Sequence, residues 1–447
     1  VIGNPPWDVL RADTGSATLR ASDRPRTSAL LRFFRESNVY RHQGQGHPNS
    51  YQLFVERTTQ LVRSGGRFGL IVPSGLATDH GSAALRRRLL ERATLDTWLG
   101  FTNRAAIFPI HRSVRFILLT GSNDGSTERL TFRCGLSDAS ALERRPSASR
   151  EELDGETISI ARSRLEAWDP EHLTIPEITS PQMLRILTHL CAVAPALGSS
   201  DSWSARFGRE LNATDDRKHF QPATNLPAPL ILPIVEGKHL SPFQVSTSHV
   251  EHAIPADCAA RLIDPALSFG RTRLAYRDVA SATNRLTLIA ALLPRHTLST
   301  HTVFCLKTRV STRDHWCLLA LLNSLVANYF IRSRVTTHVT ATLMARLPVP
   351  RPPASSAAYR ELVTLARSLA KTGVDAAPET YARLNAVVAA LYRLPVEDYE
   401  HIVGTFPLLP AELRSRCVDQ YVQATEKYVR ATETQRHRGK LWKRKTL

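Results

Sequence analysis

Over the first 120 residues the apolar positions fall into short runs bounded by glycine, proline and charge. Val1 and Ile2 before Gly3 read as the end of a strand. Leu53, Phe54, Leu61 and Val62 recur at helical spacing across residues 50–63, and Gly65-Gly66 closes that segment. The run Arg67–Pro73 is apolar, short and bounded by turn residues, the pattern of a buried strand. A helix is predicted near Leu30–Glu36, inside an otherwise polar, Arg-rich stretch over 11–48. Residues 80–93 predict a basic helix with Arg86, Arg87 and Arg88. Leu95–Phe101 and Val114–Thr120 predict two further strands, separated by a loop over Asn103–Arg112. Strand and helix patterns in alternation predict an α/β fold with a mostly parallel sheet.

Turn residues at 121–127 break this pattern, so the first domain is expected to end near residue 125. Residues 129–200 are mixed, with a helix at 182–193. A Pro-rich, strand-like region follows over about 203–310, including Leu230–Val235, Arg273–Tyr276 and Thr302–Lys307. Residues 315–334 predict one buried amphipathic helix, Pro348–Pro353 a stiff linker, and 357–371 with 378–392 a helical pair. The expected plan is three domains, 1–125, 126–350 and 351–447, the last ending in a basic tail over Gln435–Leu447.

Charge narrows the class. Lys and Arg number 58 against 40 Asp and Glu, a net charge of +18 over 447 residues, which points to a polyanionic partner. The basic residues are spread along the chain and not set on one apolar-faced helix, which argues against a membrane surface. The six cysteines form no CxxC pair, so neither a zinc knuckle nor a disulfide framework is indicated and a reducing cytoplasm is expected. No apolar run reaches the roughly 18 residues that span a bilayer. The chain opens with Val inside a strand, and is expected to be part of a larger protein.

The strongest chemical signal is Asn4-Pro5-Pro6-Trp7. Two prolines stiffen the loop and leave carbonyls free to accept hydrogen bonds. Asn4 adds a side-chain acceptor and Trp7 a flat stacking face. Together they suit the amino group of a planar base. The stretch resembles the catalytic motif of methyltransferases that act on adenine N6 in DNA. Further segments carry the likeness in order: 51–75, 108–121, 233–243, 276–294, 318–332, 345–350 and 384–407. The chain resembles the C-terminal two-thirds of the type IIG restriction–modification and Eco57I-like adenine-N6 methyltransferases, with the BREX-type methylases as relatives.

That resemblance implies a partial Rossmann-like methyltransferase sheet, then a mixed α+β target-recognition domain and a C-terminal helical region. It implies a site-specific adenine methyltransferase in a restriction–modification or phage-defence system, with double-stranded DNA as partner and S-adenosylmethionine as methyl donor. Asn4 and the Pro5 carbonyl would accept from the amine of a flipped-out adenine, in the loop that Pro6 stiffens. Trp7 and Phe108 would clamp its ring. Arg206, Arg209, Lys238, Arg271, Arg273 and Arg277, with Lys440, Lys443 and Arg444 of the tail, are candidate DNA contacts. His111 and Arg112 read as a solvated loop.

The Gly-rich loop that holds the donor in such enzymes has no counterpart. Gly44-Gln45-Gly46 follows no strand and reads as a loop. The donor pocket is therefore expected from a preceding region or a partner chain, and the isolated chain is expected to methylate poorly or not at all. The alternative is a DNA-specificity subunit without its own catalysis. A third reading, a nuclease using Asp216, Glu236 and Lys238, is set aside. In the related enzymes the nuclease precedes the methyltransferase.

Overall fold

A computed structural model describes residues 1–10, 24–44, 48–142, 157–223, 230–335 and 337–425. Lys440, Lys443 and Arg444 lie outside the described residues. The chain forms two compact units, Val1–Arg185 and Ile186–Leu447.

In the first unit the elements run β1 (Ile2–Gly3), α1 (Arg24–Glu36), α2 (Ser50–Leu61), β2 (Arg67–Pro73), α3 (Gly75–Thr78), α4 (Ala83–Arg92), β3 (Thr94–Thr102), β4 (Arg115–Ser122), β5 (Arg129–Leu136), β6 (Ile158–Ala161) and α5 (Arg162–Trp168). The helix α6 (Pro181–Val193) carries the boundary between units. Asn49 and Gln52 form a reciprocal cap that starts α2. Alternate residues of β2 are buried: Phe68, Leu70 and Val72.

The sheet order is β1-β2-β4-β3-β5-β6. Only β1–β2 and β3–β5 pair in parallel; the other neighbours are antiparallel. The sheet is thus mixed, and the expectation of a mostly parallel one is corrected. The cause lies in the β3–β4 connection. It is a loop with no crossover helix, and strands joined that way pair antiparallel.

The expected boundary at 125 is also corrected. The turn at 121–127 joins β4 to β5, and both β5 and β6 extend the same sheet. Thr127 holds this turn, with its hydroxyl donating to the Ala93 carbonyl at 2.7 Å and accepting from the Leu95 amide at 3.0 Å.

The second unit contains β7 (Phe207–Gly208), β8 (Gln221–Pro222), β9 (Ile231–Val235), β10 (Leu240–Ser241), β11 (Gln244–Val245), β12 (His252–Pro255), α7 (Ala256–Leu262), β13 (Arg273–Arg277), β14 (Ala290–Leu293), β15 (Leu298–Ser299) and β16 (Val303–Leu306). Then come α8 (Thr312–Leu322), α9 (Leu325–Arg332), α10 (Ala341–Ala345), α11 (Ala357–Thr372), α12 (Pro378–Leu391) and α13 (Val396–Gly404). The strands make two four-stranded sheets, β15-β9-β12-β8 and β14-β13-β16-β7, and the pair β10-β11.

Residues 315–334 are two helices, not one. Asn323 leaves the helical path to pair with a strand: its amide accepts from Ala290 N at 3.0 Å and donates to Ala290 O at 2.9 Å. Ser324 then caps α9 by accepting from Ala327 N.

The C-terminal helices are not a separate domain. Tyr381 donates to the Asn323 carbonyl at 2.9 Å, Asn385 accepts from Leu325 N at 2.7 Å, and Tyr359 donates to Asp314 at 2.8 Å. Nor does the expected stiff linker over 348–353 stand apart from the fold. Pro348, Val349 and Pro350 are buried, and Val349 N donates to Pro195 O at 3.0 Å.

Candidate functional site: the loop after the first strand

Because β1 and β2 run parallel, residues 4–7 and 73–75 leave the sheet at the same end. In open α/β sheets the carboxyl ends of parallel strands line the ligand crevice. Phe116 of β4 stands opposite Pro73, and Phe101 of β3 stands opposite Phe116, so register brings both rings to that end.

The Asn4–Trp7 loop is anchored on both sides. Gly69 N donates to Val1 O at 2.8 Å, Ser50 N to Asp8 O at 2.8 Å and Leu10 N to Pro48 O at 3.0 Å. Between the anchors Asn4 and Pro6 are exposed, Pro5 is buried and Trp7 is half-buried. Among the described residues nothing donates to the Asn4 side chain or to the Pro5 carbonyl. Two acceptors on an anchored loop are therefore without a partner among the described residues. The Trp7 Nε1–H is buried and has no acceptor among the described residues.

Trp7 belongs to an aromatic cluster. Its ring lies 5.8 Å from Phe108, edge to face at 74°, and 6.1 Å from Phe116. Phe108 meets Phe116 at 4.9 Å, and Phe101 stacks on Phe116 at 5.2 Å. The expected clamp of Trp7 and Phe108 around a base is therefore closed in this structure. Two rings that sandwich a third must face each other; edge-on contact fills that space. Phe108 sits with Trp7 as the sequence implied, but as its packing partner.

Sequence reading missed Asn103. Its side chain is fully buried at the end of β3. It donates to Phe108 O at 3.0 Å and Ile110 O at 3.1 Å, and accepts from Phe108 N at 2.9 Å. Three bonds from one amide thus set the course of the loop that carries Phe108. A hint was available: an Asn just after a strand, where side-chain amides commonly bond loop backbone. His111 and Arg112 are exposed on this loop, and His111 Nδ1 pairs with Ser113 Oγ at 2.6 Å.

A cavity of about 640 Å³ adjoins Asn4, lined by Val1–Asn4, Arg67–Ile71, Leu118 and Thr120. Its walls are largely apolar and include no carboxylate. S-adenosylmethionine carries ribose hydroxyls and an ammonium group that need acceptors. The side chains of this lining offer acceptor oxygens only at Asn4 and Thr120, too few to compose a seat for that donor. Gly44 supplies none either. Its N–H donates to Gly81 O at 3.1 Å, and a Cβ there would fall 2.5 Å from the Gly81 Cα, so this glycine serves close packing.

The candidate DNA contacts divide. Arg273 is corrected: it is wholly buried, with Nε and Nη2 each 2.6 Å from the Glu210 carboxylate and Nη2 2.8 Å from Thr297 O. Glu210 also accepts from Ser299 N and Oγ. This pair holds β13 to β15 and faces no solvent. Arg271 is half-buried and donates to Leu306 O at 3.1 Å. Arg206 and Arg209 are exposed, Arg209 lying over the Phe304 ring at 5.1 Å. Lys238 is exposed between Glu236 at 3.2 Å and Glu251 at 2.7 Å. Lys238 and Arg277 line one cavity.

Asp216 accepts from Asn212 N at 2.7 Å. Among the described residues no group of three His, Cys, Asp or Glu is placed to hold a metal ion. Nor, among them, is any helix long and apolar enough to cross a membrane.

Residues 1–108 match the family described as Eco57I restriction-modification methylase. No curated protein sequence matches the chain. Among solved structures, the type IIL restriction-modification enzyme MmeI, in complex with DNA, is similar at 11% identity with a TM-score of 0.51. That match covers 95% of this chain and 57% of MmeI, and it shows the fold. The type IIG restriction endonuclease BpuSI matches at 13% identity over 91% of this chain and 53% of its own, with a TM-score of 0.36. The chain thus spans little more than half the length of these two enzymes.

Proposed function

We propose that this chain, whose first 108 residues match a restriction-modification methylase family, carries the methyl-acceptor side of a DNA adenine-N6 methyltransferase. The observation that carries the reading is a pair of acceptors, Asn4 and Pro5, with no donor among the described residues, on an anchored loop at the carboxyl end of β1 and beside an aromatic ring. An exocyclic amine has two N–H donors, and each acceptor takes one. Both bonds draw the nitrogen lone pair out of conjugation with the ring and make it the nucleophile. The anchored loop limits how far these acceptors must move when the amine arrives. No covalent intermediate is required, so the absence of a nearby nucleophilic cysteine is consistent.

The target base must leave the duplex to reach these groups. Trp7 then stacks on it, a contribution of roughly 1–3 kcal/mol. For this to happen the Phe108 ring leaves its edge-on contact, which makes the 103–114 loop the moving part.

S-adenosylmethionine is the donor this reading implies, and its seat comes from beyond the residues around Asn4. That same feature favours a second reading, a DNA-specificity module completed by another chain. The test is product analysis. The intact protein as its gene encodes it is incubated with DNA and methyl-labelled S-adenosylmethionine, and the DNA is digested to nucleosides. Label in N6-methyladenosine supports the reading. Label only in a cytosine product, or none, overturns it.

A further inference from the structure

The second unit holds a cavity of about 910 Å³ whose walls differ in chemistry. Leu286 and the exposed Leu408 give an apolar side. Arg277, Lys238 and Arg285 give a cationic side, and Glu236 is the one carboxylate of the lining.

These cations are not equivalent. Lys238 is neutralised by Glu236 and Glu251, and Arg285 by Asp375. The Arg277 side chain makes no hydrogen bond or ion pair with any described residue, and its buried Nε has no partner among them. Burial holds this guanidinium below its ordinary pKa. A buried charge is costly unless it is paired.

The fold nonetheless keeps it there. Arg277 ends β13, with its N–H on Ile289 O at 3.0 Å. Its stem packs on Gly237, where an added Cβ would fall 2.9 Å from Arg277 Cγ. Gly237 is itself fixed, its N–H donating to Thr302 Oγ1 at 2.9 Å. The glycine makes room for the arginine, and the backbone around it is tied down.

A preorganised, half-buried guanidinium without a counter-ion takes an anion from outside, and its planar fork suits phosphate. The apolar wall beside it suits a flat, poorly hydrated face. We infer that this cavity seats one nucleotide unit of a nucleic-acid strand, its phosphate on Arg277 and its base or sugar against Leu286 and Leu408. The inference rests on the reading that the chain engages DNA. It adds a contact point away from the reacting base.

The test uses the 447-residue chain and a short fluorescently labelled duplex, with affinity measured by anisotropy between about 50 and 200 mM salt. Arg277→Ala should weaken binding and flatten the plot of log affinity against log salt by about 0.9, the loss of one phosphate contact. Arg277→Lys, which keeps charge without the fork, should fall between. Leu408→Asp, at an exposed position, puts a negative charge at the cavity mouth and should weaken binding even if Arg277→Ala folds poorly.

An unchanged slope in Arg277→Ala together with unchanged affinity in Leu408→Asp overturns the inference. So does a chain that binds no duplex. Inorganic phosphate and adenosine monophosphate form a separate arm: Arg277-dependent binding of either, with duplex affinity indifferent to Arg277, assigns the cavity to a free phosphate compound and overturns the strand assignment. Methyl transfer is not the readout, so an unaltered salt slope refutes this inference and leaves the catalytic reading standing. A reaction product other than N6-methyladenine does the reverse.

Discussion

Asn103→Ala removes the three hydrogen bonds that shape the loop around Phe108, at 3.0, 3.1 and 2.9 Å. Each such bond is worth about 0.5–1.5 kcal/mol net. Pro109, Ile110 and His111 of this loop are exposed, so water recovers part of what the backbone loses. We take about 2 kcal/mol for the closed loop, since full loss of three bonds sets only the upper limit. At about 1.4 kcal/mol per tenfold, the open population rises about 30-fold. Local opening is what hydrogen exchange reads. The Phe108 amide, which donates to Asn103 Oδ1, should therefore exchange about 30-fold faster, while amides of β2 and β4 keep their protection. Asn103→Asp is isosteric but should open the loop further. It keeps the acceptor for Phe108 N and sets a second oxygen against the Phe108 and Ile110 carbonyls. Equal protection at Phe108 in the wild type and the alanine variant would refute the staple. So would an aspartate variant milder than alanine.

Three further outcomes follow from other sites. Arg273→Met should lower stability to urea by about 3–5 kcal/mol, because it leaves Glu210 as an unpaired buried charge. Adding Glu210→Leu should restore much of that loss. A phosphate contact at Arg273 would instead leave stability nearly intact. His315 is held below its ordinary value of 6.5 by burial, with Arg271 adding to the effect, and its buried Nε2 has no partner among the described residues. Here the unfolded chain binds its proton first on acidification. Stability should be level above about pH 7 and should fall as pH drops through 6.5 toward the lower folded value. His315→Leu should flatten that segment of the urea profile. Finally, calorimetric titration of the 447-residue chain with S-adenosylmethionine should show no micromolar binding, and binding at that level would contradict the missing donor seat.

Much of this was legible in the residues. The strands over 67–73, 95–101 and 114–120 were visible because continuous apolar runs bounded by turns leave little choice of structure. The Asn4–Trp7 loop was visible because two prolines flanked by an amide and an indole are a rare combination with direct chemistry. What stayed hidden depended on pairing partners. Apolar content gives a strand but not its direction; only the loop between β3 and β4 set that. Residues 315–334 read as one helix because their apolar spacing continues through Asn323, and nothing local shows that its amide binds Ala290. Arg273 and Arg277 lie four positions apart in one strand and look alike in sequence. One is buried on Glu210, and the side chain of the other lines a cavity with no partner among the described residues. Asn103 escaped notice because a single asparagine carries no pattern, only a position.

The central claim is that the Asn4 amide and Pro5 carbonyl grip an adenine amine. Asn4→Ala, made in the intact protein as its gene encodes it, tests this most directly when methyl incorporation and duplex affinity are measured on the same preparation. Asn4 is exposed and bonded to nothing within the described residues, so folding and affinity should hold while methyl incorporation into adenine is lost. An Asn4→Ala protein that still methylates adenine at the wild-type rate would contradict the account.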